Sequence, residues 1–259
     1  MSTTLHIEIN DQIGYIFLNR PNAYNAFNRE MALALIDQIQ SFSSDEQIRV
    51  VVIQGNGKAF CAGQDLVEVT ADNGIGFEQI LNEHYNPIIK AIRSCQKPVI
   101  AAVNGVAAGA GANIALACDF TIASASAKFT QAFSKIGLVP DSGGTFFLPR
   151  LVGLQRATAL MMLSDVISST DAASMGMIYR SVSDDQFDDE VFNLASKLSK
   201  LPTKALAMTK ELLNASFTNS LYEQLEMEGI YQLKASSTED YNEGVSAFLE
   251  KRKPNFKGK

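Results

Sequence analysis

Apolar and polar residues alternate in Leu5-His6-Ile7-Glu8-Ile9, and an apolar run follows in Gly14-Tyr15-Ile16-Phe17-Leu18. With Asn10-Asp11-Gln12 between them, this pattern predicts two strands joined as a hairpin. Asn28 then precedes a stretch in which Met31, Leu35, Ile39 and Phe42 recur every three or four residues, the spacing of a capped amphipathic helix. Val50 to Ile53 is β-branched and wholly apolar, as in a buried strand. Strand, helix and strand in that order predict a crossover connection. Val99 to Val103, Phe120 to Ala123 and Lys128 to Thr130 add short strands, the first two separated by a helical pattern, so the class is α/β.

Beyond about Leu154 the strand signals almost stop. Helical patterns cover Gln155 to Leu163, Ser169 to Met175, Asp188 to Leu201, Thr203 to Ser216, Leu221 to Ala235 and Thr238 to Leu249. The expected plan is a core over residues 1–200 followed by a helical region over 201–259. Within that region Tyr222, Leu225, Gly229 and Leu233 share one helix face, with Leu221 beside it. That face is more apolar than a free surface helix needs, and packing on the core or on a neighbouring subunit would bury it.

Composition narrows the possible functions. The chain has 259 residues, 46% hydrophobic and 19% charged, with a net charge of -6, which leaves no overall basic surface for nucleic acid. The three cysteines lack a CxxC spacing, so neither a disulfide framework nor a metal cage is expected, and a reducing cytoplasm fits. His6 and His84 are the only histidines, which argues against a Ser-His-Asp triad; His84 is expected to be a surface or half-buried side chain. The opening residues lack a signal-peptide pattern. The uncharged run Val99 to Cys118 is long enough for a membrane span, but Asn104, Gly105, Gly109, Gly111 and Asn113 interrupt it. A strand, a turn and a buried helix explain it better.

Two loops carry candidate chemistry. The cluster Gly109-Ala110-Gly111-Ala112-Asn113 follows a strand and opens a helix, where backbone amides can be aimed at a substrate oxygen. The same glycines can instead let a helix pack closely on a strand. A dinucleotide fingerprint is excluded, because the third glycine and the acidic residue are missing at the required offsets. Asp141, in Leu138-Val139-Pro140-Asp141-Ser142-Gly143-Gly144, has two readings as well, a helix cap or a catalytic carboxylate. They place opposite demands on its pKa, since a helix N-terminus lowers it and an apolar pocket raises it.

Several longer motifs occur in order: LNRPNAYNAF (Leu18 to Phe27), VVIQGNGKAFCAGQDL (Val51 to Leu66), KPVIAAVNGVAAGAGANIALACD (Lys97 to Asp119), AKFTQAFSKIGLVPDSGGTFFLPRLVG (Ala127 to Gly153) and EGVSAFLEKRKPNF (Glu243 to Phe256). Through them the chain resembles the crotonase superfamily, the enoyl-CoA hydratase/isomerase family, over nearly its whole length. The resemblance implies a crotonase-like spiral of ββα units with a C-terminal helical oligomerisation region, assembled as a trimer or a hexamer. It implies an acyl-CoA thioester as substrate, with CoA part of that substrate rather than a cofactor. Two backbone amides, those of Gln64 and Ala110, are implied to stabilise a thioester enolate, with Gly109 and Gly111 letting the backbone approach the thioester. CoA contacts are implied at Ala23, Tyr24, Ala62, Gln64, Asp65 and Leu66. Phe248 and Lys251 are implied to reach a neighbouring subunit's CoA, although Lys251 can equally belong to a solvated basic face.

The departures from the family pattern point to the reaction. Hydratases of the family carry two glutamates where this chain has Asn113 and Phe133, and neither can accept a proton. The aspartate of several crotonase isomerases is matched by Asp141. Among these the likeness is strongest to the phenylacetate-pathway isomerases, which convert a ring-epoxidised phenylacetyl-CoA into the oxepin thioester and are implied to shift a 3-enoyl double bond to the 2-position. Dehalogenase relatives pair this aspartate with a tryptophan and a histidine, whereas this chain has no tryptophan, with Phe133 and Asn86 near those positions. The rival expectations are a hydratase-like lyase of fatty-acid degradation and a non-catalytic binding or scaffold protein. Acyl specificity is expected within 67–85, with Phe77, Ile80 and Leu81 as pocket candidates and a mobile turn at Gly74 to Phe77.

Overall fold

The computed structural model describes residues 3–70 and 75–259. The expected hairpin forms from β1 (Leu5–Asn10) and β2 (Ile13–Leu18), paired antiparallel around Asp11 and Gln12, both with positive φ. Asn28 caps the helix Arg29–Ser44 by accepting from the Met31 amide at 3.0 Å, and Met31, Leu35, Ile39 and Phe42 are all buried. That helix carries the chain over to β3 (Val50–Gly55), which pairs parallel with β2.

From β3 onward a strand of one sheet is followed directly by a strand of a second. β3 leads to β4 (Ala59–Cys61), β5 (Val99–Val103) to β6 (Val106–Ala108), and β7 (Phe120–Ser124) to β8 (Lys128–Thr130). The first sheet has the order β1-β2-β3-β5-β7-β10, and the second β4-β6-β8-β9, where β9 is Ile167–Ser168 and β10 is Arg180–Val182. Each ββα turn therefore adds one strand to both sheets, and the loops following β4, β6 and β8 come together at the second sheet.

The first sheet is covered on both faces. Val51 and Ile53 enter one core with the helix Arg29–Ser44, while Val50 and Val52 enter another with Phe187, Val191, Ala195 and Leu198 of the helix Phe187–Ser199. A period of two with both faces buried is why the strand reads as an unbroken apolar run. The uncharged segment resolves as anticipated into β5, β6 and the fully buried helix Ala110–Ala117. Among the described residues no helix is long and apolar enough to cross a membrane. The expected later helices form at Leu154–Leu163, Ser169–Ser174, Phe187–Ser199, Thr203–Ala215, Leu221–Ser236 and Glu239–Leu249. β4, β6, β9 and β10 have no counterpart in the sequence reading, because two or three residues are too few to establish a period.

The segment between Phe77 and Ser94 is helical with a π-helical stretch at Ile80–Tyr85. Pro87 accounts for the wide turn: it cannot donate to Glu83 four residues back, and its ring crowds that carbonyl. The Asn86 amide accordingly bonds to Leu81 O, five residues back.

Candidate active site

The first candidate donor sits just after β4. Gln64 forms an isolated parallel bridge with Phe27, in which Phe27 N donates to Gly63 O at 2.7 Å and Asp65 N to Phe27 O at 2.9 Å. These bonds use the groups flanking Gln64 and turn its own N–H to the opposite edge. Asp65 fixes the loop: its carboxylate pairs with Arg20 at 2.7 Å and accepts from the Val67 amide at 3.1 Å, at the start of the short helix Leu66–Thr70.

The second candidate donor opens the helix Ala110–Ala117. Gly109, with φ +53° and ψ -125°, makes a turn that only glycine adopts readily, and Ala110 is the first helical residue. First-turn amides have no partner inside their helix. A Cβ on Gly63 would stand 3.6 Å from Ala110 N, so the two donor loops are in contact. Gly111 differs from the expectation that it opens a path to the thioester. A Cβ there would lie 2.4 Å from Cys61 O and 2.7 Å from Cys61 Sγ, so this glycine lets the helix press on β4. The close-packing reading of the glycine cluster therefore holds at Gly111, while Gly109 supplies the positive-φ turn that opens the helix. Burial pushes the Cys61 thiol up to about 12, which leaves it inert.

Asp141 lies in the third loop, which Asn113 ties to the helix Ala110–Ala117. Ser142 (φ +52°) and Gly143 (φ +70°) form a left-handed turn closed by Gly144 N donating to Asp141 O at 2.8 Å. The helix Gly144–Val152 has Gly143 at its cap with no side-chain cap bond, so Asp141 does not cap it. Its half-buried carboxylate accepts from Ser142 Oγ at 2.8 Å. Burial raises its pKa above the usual carboxylate value, against the opposing pull of the Ser142 hydroxyl and its own amide. The sign that the sequence left open is upward.

Asn113 and Phe133 are both buried. Asn113 Nδ2 donates to Asp141 O at 2.9 Å, and Asn113 Oδ1 accepts from Gln131 Nε2 at 3.0 Å. Phe133 lies against Gly109, whose missing Cβ would be 3.7 Å from its ring. The two positions at which the resemblance expects hydratase glutamates are thus a hydrogen-bonded amide and a hydrocarbon.

Two groups escaped the sequence reading. The Tyr85 hydroxyl donates to Gln64 Oε1 at 2.9 Å, and Gln64 Nε2 donates to Glu68 Oε2 at 3.2 Å. Tyr85 is buried, and its phenol is raised well above its usual value by burial, with further contributions from Cys61, Asp141 and Glu68. Nothing in the periodicity distinguishes Tyr85 from a core residue. His84, expected at or near the surface, is instead fully buried, with Nδ1 unpaired and Nε2 3.5 Å from Arg29. Of the pocket candidates, Ile80 belongs to the core, Leu81 packs against it and Phe77 is exposed. Gly74 lies outside the described residues.

The implied CoA positions share one face. Ala62 N donates to Tyr24 O at 3.0 Å, joining the turn of Ala23 and Tyr24 to the Gln64 loop, and Tyr24 and Leu66 are exposed there. Phe248 is exposed and lines a surface recess with Pro202, Tyr241, Val245 and Phe256, apart from the three loops, and Lys251 follows the same helix. Among the described residues no group of three or more His, Cys, Asp or Glu could hold a metal ion.

Comparisons with known proteins bear on the fold and the family. Residues 8–259 match the family model described as enoyl-CoA hydratase/isomerase. The chain is 45% identical over 249 residues to the 1,2-epoxyphenylacetyl-CoA isomerase of Escherichia coli strain K12, covering 93% of this chain and 94% of that one. It is 43% identical over 256 residues to a Rhodobacter capsulatus protein described as "Probable enoyl-CoA hydratase", covering 99% and 98%. The crystal structure of an enoyl-CoA hydratase from Polaromonas sp. JS666 superposes with a TM-score of 0.91 at 34% identity, covering 97% and 99%. With the same fold over its whole length and relatives this close, the chain belongs to the enoyl-CoA hydratase/isomerase family.

Proposed function

We propose that the protein is a CoA-thioester isomerase in which Asp141 moves a proton while the amides of Gln64 and Ala110 stabilise the enolate. The observation that carries this reading is the Asp141 carboxylate itself. It is uninvolved in helix capping, held at a turn beside the donor loops, and raised in pKa by burial. A raised pKa makes the carboxylate a stronger base for taking the proton and moves the group toward neutral pH, where the same proton can also be returned. One carboxylate suffices for a 1,3-proton shift if it reaches both carbons. Each preorganised amide on the enolate oxygen is worth about 10²- to 10³-fold in rate.

The substrates that fit are a 3-enoyl-CoA, converted to its 2-enoyl isomer, and a ring-1,2-epoxyphenylacetyl-CoA. The second draws support from the name of the Escherichia coli relative. Likeness to the Rhodobacter capsulatus protein favours hydration instead. Against it stand Asn113 and Phe133, which put no carboxylate at the two positions where the resemblance expects the hydratase glutamates. CoA binding is assigned to the face formed by Ala23, Tyr24, Ala62, Asp65 and Leu66. The exposed apolar residues Leu221, Tyr222, Leu225, Leu233, Phe248 and Leu249 are read as surfaces covered in a trimer or hexamer.

The test is to incubate purified protein with a 3-enoyl-CoA in D₂O, following conjugated-thioester absorbance and product mass, with Asp141→Asn in parallel. Conjugation without gain of water, lost in the variant, is expected. A water adduct establishes the hydratase. No reaction with this thioester or the ring epoxide, together with no thermal stabilisation by acyl-CoA, establishes a non-catalytic role.

A further inference from the structure

We propose that Asn113 is a positioning residue for Asp141, and that Gln131 sets the orientation in which it acts. This rests on the reading of Asp141 as the acid/base and deepens it. Asn113 is fully buried and 28 residues from Asp141 in sequence, yet its Nδ2 donates to the Asp141 carbonyl at 2.9 Å. The Gly144 amide reaches the same oxygen at 2.8 Å. Both acceptor directions of that carbonyl are therefore used, and the main chain beneath the carboxylate is held from two sides.

The polarity of this connection is set one step back. An amide side chain can present either its oxygen or its nitrogen. Gln131 Nε2 donates to Asn113 Oδ1 at 3.0 Å, which leaves the Asn113 NH₂ pointing at Asp141. Turning Gln131 over would oppose two oxygens. Turning Asn113 as well would set its oxygen against the Asp141 carbonyl. Gln131 keeps the working orientation although its own Oε1 is buried without a partner, a defect native structures seldom tolerate without a use.

Space enforces the same arrangement. A Cβ on Gly144 would be 2.3 Å from Asn113 Nδ2, so the amide is packed against the turn itself. An amide also fixes the loop without adding charge, whereas a carboxylate at this position would face Asp141 with like charge. For a base that must reach two carbons, a displacement of about 1 Å can cost on the order of 10²-fold in rate.

The pH profile can report on this because a change at Asn113 or Gln131 acts on the Asp141 loop, while Glu68 and His84 sit at the Gln64 loop. Among the described residues the Asp141 pKa responds to burial, the Ser142 hydroxyl and its own amide, with no charged neighbour. Tyr85, which couples to Asp141, stays protonated throughout.

The experiment measures kcat, KM, the pH profile of kcat and Tm with a 3-enoyl-CoA for the full chain and four variants: Asn113→Ala, Asn113→Asp, Gln131→Leu and Asp141→Asn. Asn113→Ala is expected to lower kcat roughly 10- to 100-fold with KM within about 2-fold. Its acid limb should move to lower pH as water reaches the carboxylate, and that of Asn113→Asp to higher pH through like-charge repulsion. A fall in Tm with both limbs unmoved would mean a structural role only and overturns the proposal. If Asn113→Ala does not fold, Gln131→Leu decides: a smaller downward movement of the limb supports the proposal, and an unmoved limb overturns it. Retained activity in Asp141→Asn defeats the underlying reading, whereas lost activity there with unmoved limbs elsewhere defeats the positioning role alone.

Discussion

The Tyr85 hydroxyl donates to Gln64 Oε1 at 2.9 Å, binding a buried phenol to the residue whose backbone amide is proposed as a donor to the substrate oxygen. The Tyr85 ring is itself fixed edge-on against Phe27, 6.0 Å between centroids, and Phe27 holds the Gln64 loop through its main chain. Tyr85→Phe keeps the ring and removes only the hydrogen bond. It should cost about 1–2 kcal/mol in stability, by urea denaturation, because Gln64 Oε1 loses its donor. Turnover should fall roughly tenfold if the loop loosens as a donor. Unchanged kcat beside reduced stability would show the pair to be structural.

Asp141→Asn should lose turnover and gain stability at neutral pH. Burial raises the Asp141 pKa from 3.8, so the native state keeps this proton to higher pH than the unfolded chain does. Native stability therefore falls as pH rises through that window, and the charge is a cost at pH 7. The neutral variant escapes it, and its Tm should exceed the parent's by a few degrees at pH 7, the gain vanishing as pH falls below 3.8. A lower Tm at pH 7 would contradict the desolvation argument.

Alanine at Gly111 and at Gly109 should both destabilise, for different reasons. Inside a helix, Gly→Ala ordinarily gains up to about 1 kcal/mol. At Gly111 the new methyl would overlap Cys61, at 2.4 Å from its carbonyl oxygen, so overpacking of about 1–3 kcal/mol should reverse the sign. At Gly109 there is room, 3.7 Å to Phe133, but φ of +53° strains any side chain. Gly111→Ala should separate the donor loops, which a structure of the variant would reveal. An undisturbed Cys61 contact would refute this.

Lys210→Met tests how the helix Thr203–Ala215 is anchored. Lys210 Nζ is buried, 2.7 Å from Asp119 Oδ2 and 2.7 Å from Ile92 O, and Asp119 also pairs with Arg93 and the Val99 amide. Removing one member of a buried pair costs about 3–5 kcal/mol, and the partners left to Asp119 should hold this loss near the lower figure. A denaturation midpoint within error of the parent would rule out the anchor.

His84 should make the protein acid-sensitive. Burial lowers its pKa below 6.5, partly opposed by Glu68, with Arg29 lowering it further. The unfolded chain then binds the proton more readily, so this stability is complete above pH 6.5 and is lost as pH falls toward the lowered value. Tm measured between about pH 5 and pH 7.5 should drop less on acidification in His84→Gln than in the parent. Equal slopes would assign the acid sensitivity to other groups.

Elements long enough to complete a period were legible in the chain: the hairpin, the helix capped by Asn28, β3, β5 and the late helices. The strands β4, β6 and β8 show the limit. Only β8 drew notice, yet together they place the three loops of the candidate site. Tyr85 was unreadable because a buried phenol at a helical position has the same pattern whether its hydroxyl is used or not.

The sequence by itself determined the α/β class and the helical tail, and its motifs carried the family resemblance that marks Asn113 and Phe133 as departures from the hydratases. The class and the helices follow from side-chain type and local spacing, and the rest from the resemblance those motifs carry. Only the tertiary structure decided that Asp141 leaves its helix uncapped and is raised in pKa, that Gly111 faces Cys61, and that Tyr85 and Asn113 reach partners 21 and 28 residues away. Desolvation and hydrogen-bond direction depend on what surrounds a group in space, and that surrounding exists only after distant segments have packed.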